Sequence, residues 1–363
     1  MRVFPQAFIF LLALLGCGGD DSALDDAAVA DASTDLTDAE TPMTDSAGDG
    51  ADGSDGSDSQ APNCEPATVT PGPTMATLSF GAADRQYLLY IPTSLVQPAA
   101  LVLAFHGGGG AGSIGLLQGT GLRAKADEEG FVLVAPSGIG GFWSAGSCCG
   151  PQAVDDVGFV RAVIDDVASR VCLDPRRVFA TGHSNGGMMA YRLACELSDR
   201  IAAVAPSAGY LVNINNGRQG APVEPPTTIY ECLPTRPVPV LTVHGTGDTC
   251  APIEGGPVTC GGTLLRPPVA HGVDIFRDRN GCTGEGTVSF ENGAARCLSY
   301  APCREGSDVV YCTVENGGHT WFGNLGMTNP EEFGGVYSDD LIMQNAAWDF
   351  FASHPMAQPG GTR

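Results

Sequence analysis

Basic residues are scarce: 18 Lys and Arg stand against 41 Asp and Glu in 363 residues, a formal net charge of −23. So acidic a chain lacks the cationic surface that a phosphate backbone attracts, and no nucleic-acid partner is expected. Long apolar runs are missing too, since the stretch from Phe8 to Leu15 is too short to cross a bilayer. Despite 50 glycines, no G-x-x-x-x-G-K-S/T sequence occurs, which removes that phosphate cradle. Tetrahedral CxxC and HxxxH spacings are absent, so no structural metal site is expected. No internal repeat is apparent. Between Gly18 and Asn63 aromatic and basic residues vanish, while 13 acidic residues fall there. Such a segment cannot bury enough apolar surface to offset its ordering entropy, and 18–63 is expected to be a disordered acidic tether.

What precedes the tether reads as an export signal. A single basic residue, Arg2, is followed by the short apolar run and then Gly16-Cys17. With Leu14 three positions before the cysteine, this resembles the bacterial lipobox. Residues 1–17 therefore read as a lipoprotein-type signal peptide in which Cys17 takes the lipid, so that membrane contact is made only through that anchor. Release after ordinary cleavage is the rival expectation. The catalytic domain is expected over 64–357, with a flexible tail at 358–363.

Setting Cys17 aside leaves 12 of the 13 cysteines, an even number in a chain carrying an export signal, and disulfides are the natural expectation. Cys250 and Cys260 flank a short Gly/Pro loop. Cys282, Cys297, Cys303 and Cys312 are local enough to pair among themselves, and adjacent Cys148 and Cys149 are expected to reach different partners, Cys172 among them.

Two kinds of pattern follow Cys64. "ATLSF" and "RQYLLYI" alternate apolar and polar residues, which predicts an antiparallel hairpin at a sheet edge. Later runs do not alternate: 100–105, 131–136, 177–182, 201–206 and 238–245 are continuously apolar, as strands buried on both faces are. Helical periodicity separates them. One helix opens on Asp155 and Asp156 and puts Val157, Phe159, Val160, Val163 and Val167 near one face; another offers Met188, Met189, Leu193 and Ala194 to the core. Alternating strands and helices predict an α/β fold, a mostly parallel doubly wound sheet whose ligands bind beyond the strands' carboxyl ends. The Pro-, Gly- and Asn-rich stretch 211–237 interrupts the pattern as an insertion.

Gly182-His183-Ser184-Asn185-Gly186 lies between a strand and a helix, the context that gives G-x-S-x-G its meaning as a nucleophile elbow. Ser184 would sit in a strained turn, with glycines at 182 and 186 because the chain passes too close for side chains. A serine hydroxyl needs a base, and the base needs a third group to fix its tautomer. Among the histidines after Ser184, His319 in "ENGGHTW" follows a strand on a glycine-rich loop and is the expected base. His244 ends a strand and reads as a buried hydrogen-bonded residue; His271 and His354 sit in helical contexts. Asp248, beyond another strand, is the expected acid, with Asp274 the weaker substitute. Oxyanion donors are expected from the N–H groups of Gly108, in "FHGGGG", and Asn185, with His106 holding the glycine loop. Trp143 and Trp321 are candidates for an aromatic wall around an acyl group, with core packing as the alternative, and His183 is a further candidate for substrate contact.

Taken in order, "FHGGGG", "CCGPQAVDDVGFVRAVIDD", "ATGHSNGGMMAYRLACE", "PVPVLTVHGTGD" and "GGHTW" resemble the secreted poly(3-hydroxybutyrate) depolymerase and feruloyl esterase family, over roughly Arg85 to Phe351. The resemblance implies an α/β-hydrolase fold and a cofactor-free serine ester hydrolase working through an acyl-enzyme, with the family's serine, aspartate and histidine falling on Ser184, Asp248 and His319. An aryl ester of plant wall or a hydroxyalkanoate would be the substrate. Phe322 stands where the family usually has proline, and Cys250 and Cys260 are additions; both departures bear on substrate identity. An acyltransferase or a catalytically silent surface binding protein on the same fold are the alternatives.

Overall fold

Side-chain alternation along one strand divides the interior into two layers. In β3 (Ala99–Phe105), Leu101, Leu103 and Phe105 join one buried cluster while Ala100, Val102 and Ala104 join the other. An unbroken apolar run is stable in a strand only when both faces are covered, and every residue of β3 is buried. The computed structural model describes residues 64–65, 68–109, 112–146, 154–212, 232–257, 260, 265–324 and 334–357. The expected signal peptide with Cys17, the acidic tether, the tail at 358–363, Cys148, Cys149 and residues 213–231 of the insertion lie outside the described residues.

Ten strands form one sheet. Besides β3 they are β1 (Gly72–Phe80), β2 (Ala83–Ile91), β4 (Val132–Pro136), β5 (Leu173–His183), β6 (Ala203–Ser207), β7 (Val240–Gly245), β10 (Thr287–Asn292), β11 (Ala295–Ser299) and β12 (Val309–Val314). Their order is β1-β2-β4-β3-β5-β6-β7-β12-β11-β10, parallel from β4 through β12 and antiparallel at both ends. Two-residue strands β8 (Gly256–Pro257) and β9 (Leu265–Arg266) pair separately. The N-terminal edge hairpin is the one the alternating pattern predicts. The second hairpin, β10 with β11, was not anticipated; β10 is exposed along its whole length, Val288 and Phe290 included.

Helices cover both faces. α3 (Asp156–Arg170), α4 (Asn185–Glu196) and α5 (Val269–Asn280) pack on the layer holding Leu101 and Phe105, and α1 (Gly112–Gly119), α2 (Leu122–Glu129) and α6 (Met343–Ser353) on the other. Asp155 caps α3 by accepting the Gly158 N–H at 2.7 Å. Asp156 instead turns inward, where it pairs with buried Arg85 at 2.6 Å and accepts the Ser144 N–H at 2.7 Å. Among the described residues no helix is long and apolar enough to cross a membrane.

Among the described residues five disulfides staple this domain: Cys64–Cys172, Cys195–Cys232, Cys250–Cys260, Cys282–Cys303 and Cys297–Cys312. The three local pairings agree with the sequence reading. Cys172 corrects it: its partner is Cys64, 108 residues away, so it does not serve Cys148 or Cys149. Spacing along the chain carries no trace of that contact, because the sheet alone brings the two ends together.

Candidate active site

Strand β5 ends in a backbone turn that few side chains adopt. Ser184 has φ 56° and ψ −120°, a conformation that costs about 1–3 kcal/mol and persists only where the surroundings enforce it. Two hydrogen bonds do so here, from Ser184 N–H to Ser207 O at 2.9 Å and from Met188 N–H to Ser184 O at 3.0 Å. Close packing does the rest. A methyl group on Gly182 would lie 2.5 Å from the Gly186 backbone, and one on Gly186 would lie 2.0 Å from Phe105 O. The glycines at 182 and 186 are thus fixed by the chain crossing them.

Three polar side chains from three separate loops meet at that turn. His319 Nε2 lies 2.8 Å from Ser184 Oγ, and His319 Nδ1 lies 2.7 Å from Asp248 Oδ2. A carboxylate can only accept, so Nδ1 carries the hydrogen and Nε2 is left to accept the serine hydroxyl. Asp248 follows β7, and its Oδ1 accepts the Ala251 N–H at 2.7 Å. Burial on its own would raise the Asp248 carboxyl's pKa, but hydrogen bonds from His244 and His319 outweigh it and hold the group well below the usual carboxylate range. Asp274 is remote from this arrangement in kind, an exposed residue of α5 paired with Arg277 at 2.9 Å. His271 lies in α5, and His354, just past α6, bonds Phe350 O at 2.7 Å.

Two further histidines flank the relay. His244 is fully buried, and its Nε2 reaches Ala251 O at 2.7 Å and Asp248 Oδ2 at 3.3 Å, as the sequence reading of a buried hydrogen-bonded residue anticipated. His183 stacks obliquely on His319 with ring centroids 4.8 Å apart. Burial, reinforced by His319, pushes its pKa down to about 3, so it stays neutral near pH 7.

The glycine loop after β3 is buttressed from behind. His106 Nδ1 is 2.8 Å from Gly107 O, while its Nε2 accepts the Gly138 N–H at 3.0 Å, which makes the ring neutral with the hydrogen on Nδ1. The Asn185 side chain clamps Trp143 on both sides, accepting its N–H at 2.7 Å and donating to its carbonyl at 3.1 Å. Sequence reasoning assigned Asn185 only a backbone role, and no motif advertises the clamp. Its N–H stands at the start of α4, where helical amides have no intrahelical acceptor. A methyl group on Gly108 would sit 3.6 Å from Asn185 Cβ, so the loop and the elbow adjoin.

The two tryptophans lie elsewhere than in an aromatic wall. Trp143 is fully buried, edge-on to Phe105 at 5.1 Å, with its indole N–H on His106 O at 3.0 Å. Trp321 is fully buried with Phe322 in the opposite layer. Core packing claims both, because a large ring beside a strand end gains more by filling the layer than by facing water. Asp248, Cys250 and His319 also bring ligand-type atoms within 4.8 Å of one another, but the Cys250 sulfur is bonded to Cys260 and offers no thiolate to a metal.

Comparisons with known proteins place the chain among esterases. No family model matches the chain. It is 34% identical over 275 residues to "Putative esterase NocK" of Nocardia uniformis subsp. tsuyamanensis, covering 70% of this chain and 74% of that protein. Feruloyl esterase B of Piromyces equi is 34% identical over 193 residues, 52% of this chain and 33% of that one, so the chain spans about a third of that relative's length. The chain belongs to the esterase family of this Nocardia relative. Among solved structures, an acetyl xylan esterase from Aspergillus awamori superposes with a TM-score of 0.55 over 77% of this chain and 99% of its own, at 15% identity, a likeness of fold.

Proposed function

We propose that this member of the esterase family hydrolyses carboxylic esters through an acyl-enzyme on Ser184. The observation that carries the reading is the unbroken pair of hydrogen bonds from Ser184 Oγ through His319 to Asp248, set on a strained elbow. Ser184 Oγ forms a bond to the ester carbonyl carbon as its proton passes to His319 Nε2; the same proton then goes to the departing alkoxide as the carbon–oxygen bond breaks. Water repeats the sequence to release the acid and restore the serine. Asp248 holds the imidazole in the tautomer that can accept and stabilises the cation that forms. The N–H groups of Gly108 and Asn185 would take the developing oxyanion, a contribution of about 3–4 kcal/mol per donor in such sites.

Esters of aromatic acids such as ferulate are the preferred substrate class, supported by the feruloyl esterase relative. Hydroxyalkanoate oligomers are the competing class. The deciding experiment is an ester panel, methyl ferulate beside short hydroxybutyrate oligomers, assayed with the wild type and with Ser184→Ala. Loss of all turnover and of fluorophosphonate labelling in Ser184→Ala is expected, and retained turnover would overturn the reading.

Export completes the proposal. Five disulfides suit an oxidising compartment, and the leader ending at Cys17 suits a lipid anchor at the cell surface. Radiolabelled palmitate should enter the wild type and not Cys17→Ser.

A further inference from the structure

With Trp143 and Trp321 withdrawn into the core, an acyl group on Ser184 must meet some other surface. The residue just before Trp143 supplies one. Phe142 is half-buried, and its ring lies against the glycine loop: a methyl group on Gly108 would come within 2.6 Å of Cε1 and 2.7 Å of Cδ1, and one on Gly109 within 3.5 Å of Cζ. The same position on Gly108 lies 3.6 Å from Asn185 Cβ, so ring, glycine loop and elbow are contiguous.

The backbone that carries the ring is also held in place. On one side Trp143 is fixed through both of its backbone groups by Asn185, and the next N–H, of Ser144, is taken by buried Asp156. On the other side Gly109 N–H donates to Gly141 O at 2.9 Å, Phe142 N–H to Ile139 O at 3.2 Å, and Gly138 N–H to His106 Nε2 at 3.0 Å. Exposed Ile139 extends the apolar surface along the same loop. A rigid aromatic face, already ordered before substrate arrives, spends little conformational entropy on binding. Planar acyl groups gain from it through offset or edge-on ring contact, whereas an acetyl group is too small to cover it.

We propose that Phe142 is the specificity-determining residue of this site, forming the wall that favours esters of planar aromatic acids over acetyl esters. The proposal rests on the ester-hydrolase reading above. The rival role for the same contacts is that the ring only braces Gly108, in which case its loss weakens oxyanion stabilisation for every ester alike.

The ratio of kcat/KM for methyl ferulate to that for p-nitrophenyl acetate separates the two. In Phe142→Ala and Phe142→Leu the ratio should fall about tenfold, chiefly through KM for the ferulate, and Phe142→Tyr, which keeps the aromatic face, should restore it. Fluorophosphonate titration of Ser184 counts the intact sites in each preparation, so a misfolded fraction does not enter the ratio. Equal losses on both esters, with an unchanged ratio, would overturn the assignment while leaving the esterase reading intact. A wild-type chain that turns over neither ester would overturn the esterase reading itself, and the assignment with it.

Discussion

His244 Nε2 lies 3.3 Å from Oδ2 of Asp248, the oxygen that also takes the His319 Nδ1 hydrogen bond. Because Ala251 O and the carboxylate are both acceptors, Nε2 carries the hydrogen, and the ring steadies the same carboxylate oxygen that His319 uses. Hydrogen bonds to charged groups are worth about 1.5–3 kcal/mol, so His244→Leu should lower kcat by roughly ten- to a hundredfold with little change in KM. His244→Gln, which keeps a donor near Asp248, should recover much of the loss. Equal kcat values in the leucine and glutamine variants would remove His244 from the positioning of Asp248.

The elbow makes an equally direct prediction. Gly186→Ala places a methyl group 2.0 Å from Phe105 O and 2.6 Å from His106 O, both backbone atoms that cannot rotate away. Overpacking of this kind costs about 1–3 kcal/mol, and relief must come from displacing β3 or the start of α4. Urea unfolding should register the loss, and labelling of Ser184 by a fluorophosphonate should slow markedly in whatever still folds. Labelling at the wild-type rate would mean that the turn tolerates the methyl group.

Such positions were open to sequence reasoning because their constraint is local. Gly182, Ser184 and Gly186 lie within five residues, flanked by an apolar run on one side and a helical period on the other. The parallel strands were equally plain, since burial on both faces leaves an unbroken apolar signature. Contacts made only by folding left no such mark. Cys172 finds Cys64 across 108 residues, β10 is exposed along its whole length, and Asn185 reaches across to Trp143 from 42 residues away. Aromatic residues are ambiguous for another reason: a tryptophan packs into a core or lines a pocket with the same chemistry, and only the position of its neighbours decides. Phe142 and Trp143 adjoin in sequence yet end one half-exposed and the other fully buried.

His183 should give the folded domain a pH dependence of its own. Its pKa is about 3 when folded against an ordinary value of 6.5, lowered first by burial and then by His319, with Asp248 opposing. Its Nε2 has no hydrogen-bond partner among the described residues, so an added proton would be a buried charge without an acceptor. A folded pKa below the unfolded one means that the unfolded chain binds the extra proton. The contribution of His183 to stability is therefore complete above about pH 6.5 and is lost as pH falls toward 3, by up to about 1.4 kcal/mol per pH unit for one proton. Urea unfolding between pH 4 and 7 should show a steeper slope for the wild type than for His183→Gln. Parallel curves would exclude His183 as the source.

The Cys250–Cys260 bridge tests whether a disulfide reaches into the chemistry. It closes a loop of sequence separation 10, for which chain entropy predicts about 3 kcal/mol of stabilisation. Next to Cys250 stands Ala251, whose N–H bonds Asp248 Oδ1 and whose carbonyl bonds His244 Nε2, each at 2.7 Å. Loosening the loop should therefore disturb the acid as well as the fold. The double variant Cys250→Ser with Cys260→Ser is expected to lose both stability and kcat when assayed well below its unfolding midpoint. The matching double variant at Cys282 and Cys303, a bridge of separation 21 between the segment just past α5 and the segment after β11, should lose stability while keeping its kcat. If the two double variants show the same kcat, the loop from 250 to 260 contributes to folding alone and Asp248 is held by its own strand end.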